Sequence, residues 1–539
     1  MLEFVTRLSG NRETRMTRGI FAAALGLLAA TALTAPASAQ KVLKVVPHAD
    51  LRVLDGYQTT AAITAMHMAA VYDTLFAWDD KSVAQPDAVG AWSVTPDNLK
   101  YTFTLRAGLK FHDGSPVTAK DAVASVKRLL ARETIGRTLQ TFVASVDVVD
   151  EKTLTLTMKE PFGFTTFALS GINQAAGIMR EKEAASDVNV PVTEAIGSGP
   201  FKFLKEEWKP GARVVYAKNT DYVPRSEPAK GYSGGKVVKV DRVEYTIIPD
   251  LASAYAALAK GEVDVLDQPG LDLVPTIEKD PNIVVKNHFT AGTFGLLRPN
   301  HLHPPFNNVK ARQALALMVD QREYAASAYG GEAFWKNSTP CFSMWICHTS
   351  FATQAGSEPY RTQNLEKAKQ LLAEAGYKGE KITVIGATDI PSLKALTLVT
   401  ADNLRKIGVN VDLQMAEWGN VIVQRGKKDA PPVGWNIFHT TGGGTSQALP
   451  FVNNATATTC EAAWFGWPCD AEAEKLRQAF IRETDPAKQK AIAETLHKRL
   501  WEVLPYIPVG QFDQPMIYRK NISGFVTGGM AIWWNVEKN

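Results

Sequence analysis

Between Tyr101 and Arg128 the chain reads YTFTLRAGLKFHDGSPVTAKDAVASVKR, and this stretch leaves little freedom of local structure. Tyr101, Phe103 and Leu105 alternate with Thr102, Thr104 and Arg106, the period-two pattern of a half-buried strand. Gly108 ends it. Asp113-Gly114-Ser115-Pro116 is a turn cluster, in which glycine supplies positive φ and proline fixes its own φ. Thr118 is placed to cap a helix, with Asp121 three residues on completing a capping box. Val123, Val126, Leu129 and Leu130 form the apolar stripe of that helix. Nothing here is a plausible catalyst, and the stretch reads as scaffold.

The chain has 539 residues, more than one ordinary core accommodates, so two or three domains are expected. The first 39 residues read as a secretory leader. Arg12, Arg15 and Arg18 precede an apolar run from Gly19 to Leu33, and Ala37-Ser38-Ala39 is an A-x-A cleavage site. The apolar run is shorter than the roughly 20 residues of a membrane helix. Met16 is an alternative start, and the mature chain is expected to begin at Gln40 or Lys41. No cysteine follows the small residues and no Arg-Arg pair precedes them, so neither a lipid anchor nor a twin-arginine route is indicated. The formal charge of +4 falls to +2 without the leader, whose four arginines face two glutamates. A near-neutral surface argues against a nucleic-acid partner.

The cysteines fall in two local pairs, Cys341 with Cys347 and Cys460 with Cys469. An even count in an exported chain reads as disulfides, and local pairing is the simplest of three connectivities. The intervals of five and eight residues do not suit structural zinc, whose ligands stand two to four apart.

Along the chain, Lys41–Pro47 alternates as a first strand, and Ala61–Leu75 reads as a helix. Val143–Asp150 and Thr153–Met158 make a hairpin across Glu151-Lys152. Ala252–Ala259 is a helix closed by Lys260-Gly261, followed by Glu262-Val263-Asp264-Val265. Ile283–Arg298 reads as two strands. Ala311, Ala314, Leu315, Met318 and Val319 keep helical spacing behind a cap at Asn308. Asn364–Gly376 is an amphipathic helix. Lys381–Gly386, Leu396–Lys406 and Val409–Met415 give strand, helix, strand, the mark of an α/β lobe. Two helices, Cys469–Glu483 and Pro486–Val503, precede a strand path from Pro505 to Tyr518.

Several of these strings occur together in one known family. The signature from Tyr101 to Arg128, the step IGSGPFKF at 196–203, Gly-Glu-Val-Asp at 261–264 and PPFNNVKARQA at 304–314 resemble the peptide/nickel class of extracellular solute-binding proteins. That class, which includes dipeptide- and oligopeptide-binding proteins, serves ABC transporters. The resemblance runs over nearly the whole mature chain. It implies an α/β, two-lobe periplasmic-binding-protein fold with an extra subdomain in the first lobe and a hinge of two crossing strands. On that basis 1–39 is leader, 40–297 the first lobe with its inserted subdomain, 298–509 the second lobe and 510–539 a return to the first. The crossings are expected near 296–300 and 507–512.

A cleft between such lobes holds its ligand by closing on it. Arg298 stands in an apolar strand at an expected crossing, and its planar fork suits a carboxylate. Trp418, in Ala416-Glu417-Trp418-Gly419, matches a Glu-Trp position of the family near the cleft. His439 and Thr441 end a strand that leads into Gly442-Gly443-Gly444. Asp55 and Tyr57 lie on a rim loop, Phe294 precedes one crossing and Phe512 sits at the other. Peptide-binding members hold the amino group with an aspartate after the strand of His439. Here no acid stands between Asn436 and Pro450. His301 and His303 have metal-like spacing but no third ligand nearby, so neither metal nor cofactor is expected. Ser198 lacks the flanking glycines of a nucleophile elbow, and Gly442–Thr445 lacks the lysine of a phosphate loop.

The expectation is a monomeric periplasmic receptor, not an enzyme. It captures a small organic or peptide-like solute and delivers it to an inner-membrane ABC permease. The alternatives are a secreted hydrolase, a periplasmic chaperone or sensor partner, or a binding protein for a nickel complex, an opine or a glycan.

Overall fold

The computed structural model describes residues 40–539 apart from 60, 133, 171–176, 268, 272–273, 290–291, 348, 389 and 417. The leader, Glu417 and the 268 and 389 positions therefore lie outside the described residues. Strand β1 (Val42–Val46) is followed by helix α1 (Ala62–Val71). Strands β2 (Val89–Val94), β3 (Lys100–Leu105), β4 (Val143–Val148) and β5 (Thr153–Met158) form a separate antiparallel sheet, with α2 (Ala119–Arg132) between β3 and β4. Strands β6 (Phe201–Phe203), β7 (Arg213–Lys218), β8 (Arg242–Thr246), β9 (Val265–Leu266) and β10 (Ile283–Lys286) join β1 in the first large sheet, with α3 (Leu251–Lys260) between β8 and β9.

The second large sheet contains β11 (Thr293–Pro299), β12 (Ile382–Ala387), β13 (Val411–Ala416), β14 (Ile437–Gly443) and β15 (Ile507–Phe512). Its helices are α4 (Val309–Leu317), α5 (Gln321–Tyr329), α6 (Leu365–Glu374), α7 (Pro391–Lys406), α8 (Trp418–Arg425), α9 (Ala471–Arg482) and α10 (Pro486–Val503). Strand β16 (Met516–Arg519) returns to the first sheet, whose order is β10-β16-β9-β1-β8-β7-β6; the second runs β13-β12-β14-β11-β15. Among the described residues, no helix is long and apolar enough to cross a membrane.

The strand–turn–helix forms as its residue pattern dictates. Tyr101, Phe103 and Leu105 are buried, and Thr102 and Thr104 half-buried. Asp113 Oδ1 accepts from Ser115 N–H at 3.0 Å and Oγ–H at 2.6 Å, and Gly114 takes φ +88°. Asp121 Oδ2 accepts from both the N–H (2.8 Å) and the hydroxyl (2.6 Å) of Thr118, so helix α2 opens on a capping interaction. Its stripe of Val123, Val126, Leu129 and Leu130 is buried. The glycines of the IGSGPFKF step make room for the end of α1. A Cβ on Gly197 would stand 2.0 Å from the Val71 carbonyl oxygen. Gly199 N–H donates to that same oxygen at 2.9 Å.

The crossings lie elsewhere than expected. Residues 296–300 and 507–512 do not bridge the sheets. Strands β11 and β15 pair antiparallel inside the second sheet, with Thr293 opposite Phe512 and Leu297 opposite Ile507. Their backbone groups are committed to that ladder. The chain passes between sheets at 287–292, from β10 to β11, and at 513–515, from β15 to β16. Thr293–Leu297 and Gly510–Phe512, assigned from sequence to the first lobe and its return, thus belong with the second sheet. Beyond β16 the tail stays on the first sheet: Trp533 Nε1–H donates to Tyr245 Oη at 2.6 Å, and Lys538 Nζ to Asp264 Oδ2 at 2.8 Å.

Helix α2 also carries a buried charge. Arg128 Nη2 meets Asp55 Oδ2 at 3.0 Å, with both side chains fully buried. Arg128 further donates to the Ser186 and Val190 carbonyls, while Asp55 accepts from the Tyr57 and Val192 N–H groups. The pair thus ties α2 to the loop after β1. Arg128→Ala would strand a buried carboxylate, and a loss of about 3–5 kcal/mol in urea unfolding is expected. An unchanged unfolding midpoint would remove the pair from this account.

Candidate ligand cleft

Strand direction defines one end of each sheet. Strands β1, β8 and β9 run parallel, ending at Val46, Thr246 and Leu266. The antiparallel β16 begins beside that end, since Leu266 faces Ile517 and Lys286 faces Met516. Both crossings therefore leave the first sheet where its parallel strands finish. In the second sheet Thr293 faces both Gly443 and Phe512, so the crossings arrive where β14 finishes. Strands β12 and β13 run parallel to one another, and β12 runs parallel to β14, so they end on the same side at Ala387 and Ala416. The carboxyl ends of six parallel strands thus flank the two crossings, the position at which open α/β sheets hold ligands. Helices α3, α7 and α8 begin there, with the positive ends of their dipoles toward it.

On the first-sheet side, His48 Nδ1 and Asp267 Oδ2 stand 2.7 Å apart, the imidazole slightly exposed and the carboxylate fully buried. Burial would lower the His48 pKa, but the charge and hydrogen bond of Asp267 outweigh it, and the pKa is raised above 6.5. Asp50 Oδ2 accepts from Arg52 Nε–H at 3.0 Å and Gly211 N–H at 2.8 Å. Asp50 Oδ1 and Asp267 Oδ1 are buried and meet no hydrogen-bond donor among the described residues. At the crossing, Gln514 Nε2–H reaches the Pro269 carbonyl at 3.4 Å, and Asp513 accepts from Ser338 Oγ–H at 2.8 Å.

On the second-sheet side, Trp418 opens α8, half-buried, with the Arg425 guanidinium 5.3 Å above its ring. Arg425 also lies 4.7 Å from the Phe465 ring centroid and 5.5 Å from that of Trp464. This aromatic surround desolvates it and lowers its pKa. Thr441 is half-buried near the end of β14, and Gly444 N–H donates to the Gly292 carbonyl at 2.9 Å.

Of the residues singled out from sequence, the fold brings Trp418 and Thr441 to this place. It carries Arg298 away, because β11 starts at the crossing and runs from it. Arg298 is fully buried at the far end of the strand. Its Nε–H donates to the Phe465 carbonyl, Nη1 to those of Ala455 and Pro505, and Nη2 to that of Trp464. Burial lowers its pKa to about 9. A guanidinium so encased has no face for a carboxylate. His439 points into the core, where Nε2 meets Thr400 Oγ1 at 2.7 Å and burial lowers its pKa to about 3. Phe294 and Phe512 are fully buried, the latter stacked on Tyr329 at 4.1 Å. Asp55 and Tyr57 are buried beside Arg128.

The cysteines are bonded as Cys341–Cys347 and Cys460–Cys469. His301 Nε2 meets the Pro505 carbonyl and His303 Nε2 that of Lys428, so the two histidines serve different loops. The His48–Asp267 pair went unnoticed in the sequence. Its one signal was an acid ending the short strand after Gly-Glu-Val-Asp, and its meaning depended on which strand lies alongside.

Two outcomes follow from these placements. Arg298→Lys withdraws donors from buried carbonyls and should cost about 1–3 kcal/mol in urea unfolding while leaving solute affinity unchanged. A loss of affinity without loss of stability would return Arg298 to the cleft. A raised folded-state pKa stabilises fully below the unfolded value and ceases to do so as pH climbs through the folded one. The stability advantage of the native chain over His48→Gln should therefore be fullest below about pH 6.5 and shrink as the pH rises above it; a constant difference would exclude the ion pair.

A family model described as bacterial extracellular solute-binding proteins, family 5, matches residues 84–455. A protein of Sinorhizobium fredii, named a probable peptide ABC transporter periplasmic-binding protein, is 40% identical over 526 residues, covering 95% of this chain and 98% of its own. Among solved structures, the periplasmic binding protein DppA of Helicobacter pylori in complex with the peptide STSA superposes with TM-score 0.73 at 22% identity, covering 93% of this chain and 98% of that one. AgaA of Agrobacterium tumefaciens with agropinic acid superposes with TM-score 0.73 at 21% identity, covering 92% and 99%. The fold is the two-lobe α/β fold of periplasmic binding proteins. The chain belongs to the family 5 bacterial extracellular solute-binding proteins.

Proposed function

We infer that the chain is the exported, substrate-binding component of an ABC importer for peptide-like solutes. A single lobe pair captures the solute between the strand ends, closes on it, and presents it unaltered to an inner-membrane permease. The observation that carries this reading is the convergence of six parallel-strand ends on the two crossings. Closure about those crossings lets one solute touch both lobes, and its differential affinity for the closed form drives capture. The chain acts as a monomer with no nucleic-acid partner, and no bond of the solute is made or broken.

The charges around the cleft favour a zwitterion. On the first-sheet side Asp50 and Asp267 each keep a buried carboxylate oxygen without a donor among the described residues. The basic groups beside them, Arg52 and His48, already pair with these same two acids. An ammonium group suits that side and substitutes for the aspartate missing after β14. On the opposite side, α7 and α8 have no acid within their first turns, Asp389 and Glu417 standing just before them in the sequence, and the helix N-termini suit a carboxylate. A short peptide with free termini carries both groups.

The test is a thermal-shift comparison on protein freed of co-purified ligand by unfolding and refolding. Ala-Ala at about 100 times its Kd should stabilise by ~2.7 kcal/mol. N-acetylated Ala-Ala should stabilise much less, and Asp267→Asn should weaken Ala-Ala by about 1.5–3 kcal/mol. Equal shifts with both compounds would remove the ammonium role of the first lobe, and hydrolysis of the dipeptide would overturn the receptor reading.

A further inference from the structure

The two lobes touch at a second place, away from the crossings. Residues 160–168 lie between β5 and β6, before either crossing, whereas 351, 451 and 480–489 lie between the two crossings. Phe164 packs against Phe451 at 4.7 Å and Phe480 at 4.9 Å between ring centroids. Phe162 and Phe167 reach Phe451 at 6.2 and 6.1 Å, and Phe351 reaches Phe164 at 6.2 Å. Phe162 and Phe480 are wholly buried, Phe164, Phe167 and Phe451 nearly so, and Phe351 half-buried. Around the rings, Glu160 accepts from Arg482 Nε–H at 3.1 Å and Nη2–H at 3.2 Å, and Gly163 N–H donates to the Ile481 carbonyl at 2.9 Å.

Gly163 marks how closely the two sides approach. A Cβ there would lie 1.9 Å from the Glu483 carbonyl oxygen and 2.5 Å from Gln489 Nε2, both across the seam. Gln489 Nε2–H donates to that same carbonyl, so the surface facing Gly163 is fixed. The backbone of Gly163 is not left-handed, so nothing within its own lobe requires glycine. The requirement comes from the other lobe.

We propose that this phenylalanine seam is a latch that holds the lobes together without a solute. The proposal rests on the two-lobe reading above. Rotation about 287–292 and 513–515 carries α9 and Phe451 away from 160–168, which exposes the aromatic faces to water and breaks the Glu160–Arg482 pair. Aromatic burial opposes that exposure, so the empty receptor populates the closed form, and a solute needs correspondingly less differential affinity to complete closure. Arg482 reinforces the seam from above, its guanidinium 5.1 Å from the Phe142 ring centroid.

The test is small-angle X-ray scattering of the full, ligand-stripped mature chain. The wild-type chain should show the radius of gyration of the closed form described here. Gly163→Ala wedges the seam and should raise the open-to-closed ratio at least about tenfold, seen as a larger radius with unchanged circular dichroism. Glu160→Arg and Arg482→Glu, both at exposed positions, should each enlarge the molecule, and the double reversal should restore compactness. This second set decides the matter if Gly163→Ala does not fold. An extended wild-type chain overturns the latch, because the seam then fails to close unaided. A compact Gly163→Ala chain with lowered thermal stability also overturns it, because the seam then sits on the rotation axis and stays shut. The wild-type thermal shift with Ala-Ala judges the receptor reading separately.

Discussion

Two short passages of chain, 287–292 and 513–515, hold this molecule's architecture together. They join strands that are neighbours in each sheet: β10 and β16 in the first, β11 and β15 in the second. Both passages therefore leave the first sheet, and enter the second, at neighbouring strand ends. The strand directions then follow from pairing. Every parallel strand of both sheets finishes at the junction, and the loops that follow those strands collect there.

Buried charge in this chain mostly fixes loops. Arg128 with Asp55, and Lys236 with Asp73 and Asp87, are pairs or triads sealed inside the first lobe. Arg298 does the same work without an acid, its donors turned on four main-chain carbonyls of the second lobe. Removing a guanidinium from water is tolerable when its N–H groups find acceptors. An arginine in an apolar strand can therefore be a brace rather than a receptor. His48 with Asp267 differs: the imidazole keeps contact with solvent, and Asp267 Oδ1 meets no donor among the described residues.

The seam of phenylalanines adds a second constraint on rotation about the crossings. Crossings permit opening, and a contact between 160–168 and α9 resists it. Together they make the balance between open and closed forms a property of the protein itself, which the solute then shifts.

Much of the fold was legible in residue order because it is local. The strand–turn–helix beginning at Tyr101, the Asn308 cap, the amphipathic helix after Asn364 and the αL glycine at 261 depend on neighbours within a few positions, and all form as read. Both cysteine pairings were legible for the same reason. Site residues were less so. Trp418 and Thr441 stand at the carboxyl ends of parallel strands, the one opening the helix after β13 and the other near the end of β14, which a local pattern reveals. The direction of β11 carries Arg298 to the far end of its strand, whereas His439, Phe294 and Phe512 turn their side chains into the core, and strand pairing over hundreds of residues leaves no mark on adjacent side chains. Residue order alone specifies most helices and strands, several caps and the family to which the chain belongs. Long-range packing sets which strand ends lie at the crossings, that Asp267 stands beside His48, and that Gly163 must be small. Each of these is a contact between segments far apart in the chain, and sequence spacing carries no record of such distances.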